Sequence, residues 1–146
     1  LGRGGSDTTA IACAVALENL RLLDEEGIVD RVRTETAPYL KERFETLTQH
    51  PLVGEATIVG LMGSIALTPD KSRRAAFAAD PGTAGFICRE QCFANNLVMR
   101  HVYDRMIVSP PLVISNDEID ILIERATKSL DEALDRLTRD GLMTSA

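Results

Sequence analysis

Arg100 lies inside an apolar stretch, Leu97-Val98-Met99-Arg100-His101-Val102-Tyr103-Asp104-Arg105-Met106-Ile107-Val108-Ser109-Pro110-Pro111-Leu112-Val113-Ile114. Burying a guanidinium unpaired is costly, so it needs an anionic partner or a route to water. Its planar fork binds carboxylates bidentately. On a strand beside a Pro-Pro turn, Arg100 reads as a clamp for a substrate carboxylate. The local sequence leaves a second reading open: a structural arginine paired with Asp104 or Glu118, or one that reaches solvent along its aliphatic stem.

The other chemistry-bearing residues point to less. Lys41 and Lys128 fall on polar helix faces and Lys71 in a turn, so none has the apolar setting that would make a Schiff-base nucleophile. His50 precedes Pro51 in a turn and is expected to be solvated. His101 alternates with Arg100, so the two should point to opposite strand faces. Neither histidine supports a metal site. Cys13, Cys88 and Cys92 are an odd count without a disulfide framework. Cys88 and Cys92 stand four apart on a predicted helix, but no second Cys or His pair completes a metal site. All three thiols are expected to be buried and apolar, as in a cytoplasmic protein. Gly2, Gly4 and Gly5 have no preceding strand and no following phosphate-loop pattern. A helix start after Ser6-Asp7-Thr8-Thr9 offers N–H groups to an anion, but a flexible linker or a foreign remnant is the better explanation of the segment.

Composition narrows the class. A length of 146 residues suits one domain. With aromatics at 4% and no Trp, the core must be built from Leu, Ile, Val and Ala. The net charge of -6 argues against a nucleic-acid partner, which requires a basic face. No apolar run is long enough to span a membrane, and no basic start leads into a signal-peptide pattern. Residues 1–10 read as a divergent Gly-rich start or a foreign remnant, and the chain as a piece of something longer.

The elements that must position Arg100 follow from period and punctuation. Asp7-Thr8-Thr9 supplies N-cap types for a helix over Ala10 to Leu23, which Gly27 ends. Its apolar start reads as a surface made to be buried and closely packed; in a piece of something longer, Ile11 to Leu17 are expected to be exposed and to drive self-association or domain exchange. Ile28 to Leu47 is a second helix with Val32, Thr36, Leu40, Phe44 and Leu47 on its stripe, kinked or restarted at Pro38. Val53 to Thr68 reads as one strand with Val59, Leu61, Ile65 and Leu67 on one face. Gly60 and Gly63 mark a bulge or a close backbone approach within it. Thr83 to Asn95 is a helix with Ile87, Cys88 and Cys92 inward. Leu97 to Val102 and Arg105 to Val108 are short strands joined at Tyr103-Asp104. Ser115 and Glu118 form a capping box ahead of a last helix carrying Ile119, Leu122, Ile123, Ala126, Leu130, Leu134 and Leu137. The fold class is therefore α+β, a mainly antiparallel small sheet covered by helices.

At this point the residues resemble a known family. The blocks Ala12-Cys13-Ala14-Val15-Ala16-Leu17-Glu18-Asn19-Leu20, Glu25-Glu26-Gly27-Ile28-Val29 and His50-Pro51-Leu52-Val53-Gly54-Glu55 look like class III aminotransferases of the omega-amino acid:pyruvate type. So does Val59-Gly60-Leu61-Met62-Gly63. The most specific piece is Val98-Met99-Arg100 with Ser109-Pro110-Pro111-Leu112-Val113-Ile114. The resemblance covers about Ile11 to Leu137. It implies the C-terminal small domain of a fold type I pyridoxal-phosphate enzyme, over residues 11–146 with the lead-in helix. The implied parent is a cytoplasmic homodimer that moves an amino group from an amine or omega-amino acid to pyruvate or a similar keto acid.

The implied partners are small amino and keto acids and a large domain that supplies the Schiff-base Lys and most of the phosphate pocket. Arg100 falls on the family's mobile arginine, which grips the substrate carboxylate. No catalytic residue and no covalent hold on the cofactor is assigned to this chain, which alone is expected to be inactive. Before the first helix the family carries a Thr for the cofactor phosphate of the other subunit. Here the ungapped position is Gly5, and that role is not carried over. The alternative expectation is a stand-alone domain for assembly or carboxylate binding.

Overall fold

The computed structural model describes residues 4–143, with side chains from residue 8 onward. Helix α1 (Gly4–Glu25) leads to a short helix α2 (Ile28–Arg31), a wide π turn over Val32–Thr36, helix α3 (Ala37–Glu45) and a 3-10 turn at Thr46–Gln49. A β1–β2 hairpin follows (Val53–Val59 and Met62–Leu67), then helix α4 (Thr83–Ala94). A second hairpin, β3 (Arg100–Val102) and β4 (Arg105–Val108), precedes helix α5 (Asn116–Arg139). All neighbouring strands are antiparallel, in the order β1-β2-β4-β3. The expected α+β class, with a small antiparallel sheet and helices, holds.

The sheet has two unlike faces, and the register says which residue belongs to which. Ala56, Ile65, Met106 and His101 form one cross-strand row; Thr57, Ser64, Ile107 and Arg100 form the next. Side chains alternate along a strand, so the two rows face opposite ways. The first row faces the helices, where Ile65 and Met106 are buried with Phe44 and Leu40 of α3, Ile87 and Cys88 of α4, and Ile119 and Leu130 of α5. The Arg100 row lies on the face the helices leave open. Gly63 lets the Phe44 ring reach the sheet, since a Cβ there would stand 2.8 Å from Phe44 Cζ.

Several expectations are corrected. Val53 to Thr68 is a hairpin, because Gly60 adopts φ +59° and turns the chain. Val59 is consequently 84% exposed rather than on the buried face of Leu61, Ile65 and Leu67. Helix α1 already runs from Gly4, so Asp7, Thr8 and Thr9 lie within it instead of capping it. Residues 1–3 of the Gly-rich start lie outside the described residues. The apolar start of α1 is exposed, as expected for this chain on its own, whereas Cys13, expected to be buried, is exposed with it. His50 is buried rather than solvated: its Nδ1 accepts from Leu52 N at 3.1 Å and its Nε2 lies 3.2 Å from Asp131. At Pro38 the helix restarts as expected. The π turn absorbs the missing donor, and Pro38 occupies the first turn of α3, where no N–H is needed.

Candidate functional site

Arg100 opens β3, a three-residue strand at the sheet edge. Its side chain is exposed and meets no carboxylate among the described residues. Both structural pairings suggested by the sequence are taken up elsewhere. Asp104 accepts hydrogen bonds from Gly82 N at 3.2 Å and Gly85 N at 3.0 Å. Glu118 accepts from Ser115 N at 2.8 Å and Ser115 Oγ at 2.9 Å. These bonds, the backbone one foremost, hold the Glu118 carboxyl below its ordinary range. Arg100 thus satisfies the desolvation problem through water, with its fork unengaged.

Arg105 stands on the same open face and differs in one respect. It pairs with Glu55 at 3.2 Å and donates to Ser64 Oγ at 3.3 Å. Among the described residues of the open face, Arg105 is therefore paired and Arg100 is not. Beside Arg100 lies a shallow groove of about 290 Å³ lined by Arg89, Phe93, Val98, Met99 and His101. The Arg89 guanidinium sits 4.8 Å from the centre of the Phe93 ring and 5.9 Å from that of Phe86, within cation–π range. His101 points the other way from Arg100, as its alternation requires, and meets the edge of Phe86 at 6.2 Å.

The remaining candidates stay outside this site. Lys41 pairs with Glu45 at 3.8 Å, Lys128 with Glu132 at 3.9 Å, and Lys71 donates to the Thr48 carbonyl; all three are exposed. Cys88 and Cys92 are buried in the core, as expected. The neighbouring Cys92 thiol and burial together push the Cys88 thiol well up, which makes it inert rather than nucleophilic. Among the described residues no three His, Cys, Asp or Glu side chains gather to hold a metal ion. No helix among them is long and apolar enough to cross a membrane. Sequence reasoning missed Asp104 as a clasp on α4 and Arg89 as a second cation at the groove. Gly82 and Gly85, spaced three apart at the start of α4, were the available signal for the first.

The architecture around Arg100 is thus a small antiparallel sheet backed by helices on one face, with an unengaged arginine on the other. No protein-family model matches the sequence. The chain is 52% identical over 122 residues to putrescine--pyruvate aminotransferase of Pseudomonas aeruginosa, which covers 84% of this chain and 26% of that protein. It is 30% identical over 141 residues to diaminobutyrate--2-oxoglutarate transaminase of Halomonas elongata, covering 94% of the chain and 29% of the relative. Among solved structures, a thermostable omega transaminase from Pseudomonas jessenii superposes with TM-score 0.81 and 29% identity, over 87% of this chain and 28% of that one. The omega transaminase of the same organism in complex with PMP matches with TM-score 0.81 and 29% identity, over 88% and 28%. Sequence and fold together place the chain with the class III pyridoxal-phosphate aminotransferases, as the counterpart of their C-terminal portion. It spans about a quarter of the length of the relatives it matches.

Proposed function

We propose that this chain is the small domain of an aminotransferase that passes an amino group from an amine or omega-amino acid to pyruvate or a similar keto acid. The observation that carries the reading is the 52% identity to the putrescine--pyruvate enzyme over most of the chain. In this reading residues 11–146 form the small domain with α1 leading into it. The partners are small amino and keto acids, a large domain of the same protein, and a second copy in a cytoplasmic homodimer.

Arg100 is the carboxylate clamp of the site. It is exposed, it has no carboxylate partner, and it stands on the face that this chain's helices leave uncovered. Its fork donates two parallel N–H···O bonds to a carboxylate and so fixes the keto acid's orientation. A long exposed side chain can also withdraw when the substrate lacks that group.

The described residues do not fit a covalent cofactor site. All three lysines are surface residues engaged by neighbouring side chains or backbone. Pyridoxal phosphate, which belongs to the family's chemistry, would be held by residues outside this sequence.

The test is amino transfer by the full-length protein that carries this chain, loaded with pyridoxal phosphate. Alanine should form from pyruvate with putrescine as donor; its absence across a panel of amines and omega-amino acids would overturn the reading. Arg100→Ala should raise the KM for pyruvate about 10- to 100-fold, the worth of a charge-assisted hydrogen bond. An unchanged KM would remove Arg100 from the site.

A further inference from the structure

We propose that Asp104 is the positioning residue for Arg100: a carboxylate that pins the β3–β4 hairpin onto the start of α4 and so holds Arg100 at its place on the sheet. The proposal rests on the reading of Arg100 as the carboxylate clamp. β3 is three residues long and hydrogen-bonds to β4 on one side only. A strand so short takes its position from what holds its ends.

Two features fix the end nearer the turn, and both run through Asp104. Its carboxylate bridges Gly82 N, at 3.2 Å, and Gly85 N, at 3.0 Å. These are N–H groups at the open N-terminus of α4, where a negative charge is favoured by the helix dipole. Its backbone carbonyl accepts from Leu67 N at 2.8 Å, which ties the same turn to the end of β2. One residue thus joins the hairpin to a helix and to the neighbouring strand.

The approach is possible only because α4 begins with glycines. Gly82 has φ +95°, and a Cβ on Gly85 would lie 2.0 Å from the Tyr103 carbonyl oxygen. Tyr103 itself adopts φ +50°, a conformation unusual for a non-glycine residue. A strained turn seated in a glycine hollow persists when its surroundings over-determine it, and the Asp104 bridge to Gly82 N and Gly85 N is one of those constraints. Asp104 makes no bond to Arg100, so its effect on substrate passes through the backbone of β3.

The experiment uses the full-length, cofactor-loaded protein and two amino acceptors: pyruvate, which has a carboxylate, and butanal, which has none. Asp104→Asn keeps an acceptor for one N–H and loses the charge and the bridge. The ratio of kcat/KM for pyruvate to that for butanal should fall about tenfold, mainly through KM for pyruvate, since a clamp displaced by a fraction of an ångström loses its fork geometry. The double variant Arg100→Ala/Asp104→Asn should fall no further than Arg100→Ala alone, because the two act through one contact. An equal loss toward both acceptors, or additive losses in the double variant, would show a merely structural role and overturn the proposal. If Arg100→Ala itself leaves the ratio unchanged, the clamp reading fails and this proposal fails with it. Should Asp104→Asn not fold, Asp104→Ser, which retains one acceptor at the turn, is judged by the same ratio.

Discussion

Two arginines on one sheet face have opposite circumstances, and side-chain partners alone make the difference. Arg105 is spent on Glu55 and Ser64, while Arg100 meets water. The sequence showed that Arg100 needed either an anion or solvent, but not which, because Asp104 and Glu118 were plausible partners until each was found engaged elsewhere. Gly63 shows the same limit. Its spacing suggested a bulge or a close approach, and the identity of the approaching group, the Phe44 ring, is a tertiary fact. Phe44 is fully buried, so the ring has nowhere to retreat. A methyl at Gly63 would stand 2.8 Å from Cζ and 3.1 Å from both Cε atoms. Gly63→Ala should therefore destabilise the domain by about 1–3 kcal/mol, the usual cost of overpacking. A lowered urea midpoint with an unchanged slope is the expected signature; an unchanged midpoint would mean that the ring and sheet can part without cost.

At the scale of elements, legibility followed period and punctuation. Helix α5 was readable because its apolar positions recur at helical spacing and Ser115 with Glu118 marks its start; both halves of that capping box are formed. From sequence the β1–β2 hairpin reads as one strand, because Gly60-Leu61 is not a strong turn dipeptide and the apolar alternation runs through it almost unbroken. Helix α1 begins earlier than Asp7-Thr8-Thr9 suggests, because capping residue types are common inside helices as well. The capping box also makes a pH prediction. The folded-state pKa of Glu118 is depressed by the Ser115 N–H and hydroxyl. A depressed carboxylate contributes stability above its unfolded pKa and loses it as pH falls through the folded value. Wild type should therefore melt above Glu118→Gln at pH 7, since Gln keeps the box but not the charge beside the helix N-terminus. The difference in melting temperature should close as pH is lowered into the acid range. A gap that stays constant with pH would assign the effect to packing rather than to the ionised carboxylate.

For the whole molecule, the informative quantity is the apolar surface this chain does not cover. Along α1, Ile11, Val15, Leu17 and Leu20 are 66%, 64%, 67% and 63% exposed. They lie around more than one side of the helix, so no single neighbour within the chain would bury them. On the open sheet face Met62 and Val59 are exposed as well. Exposed apolar side chains gathered along one helix in this way mark a site of association. The chain matches only about a quarter of its relatives' length, which accords with a surface shaped for other parts of a larger protein. The sequence carried this much in plain view, since an Ala-rich helix apolar on all sides is one made to be buried; among the described residues nothing covers these four side chains. The 146-residue chain on its own should therefore self-associate, with α1 as the contact. Sedimentation velocity should show mass rising with concentration, and replacing Val15 and Leu20 together by Glu should return a monomer without lowering the melting temperature, because neither side chain packs into the core. A monomer at every concentration would contradict the expectation. Association that survives the double replacement would move the contact from α1 to the open sheet face, where Met62→Glu is the corresponding change.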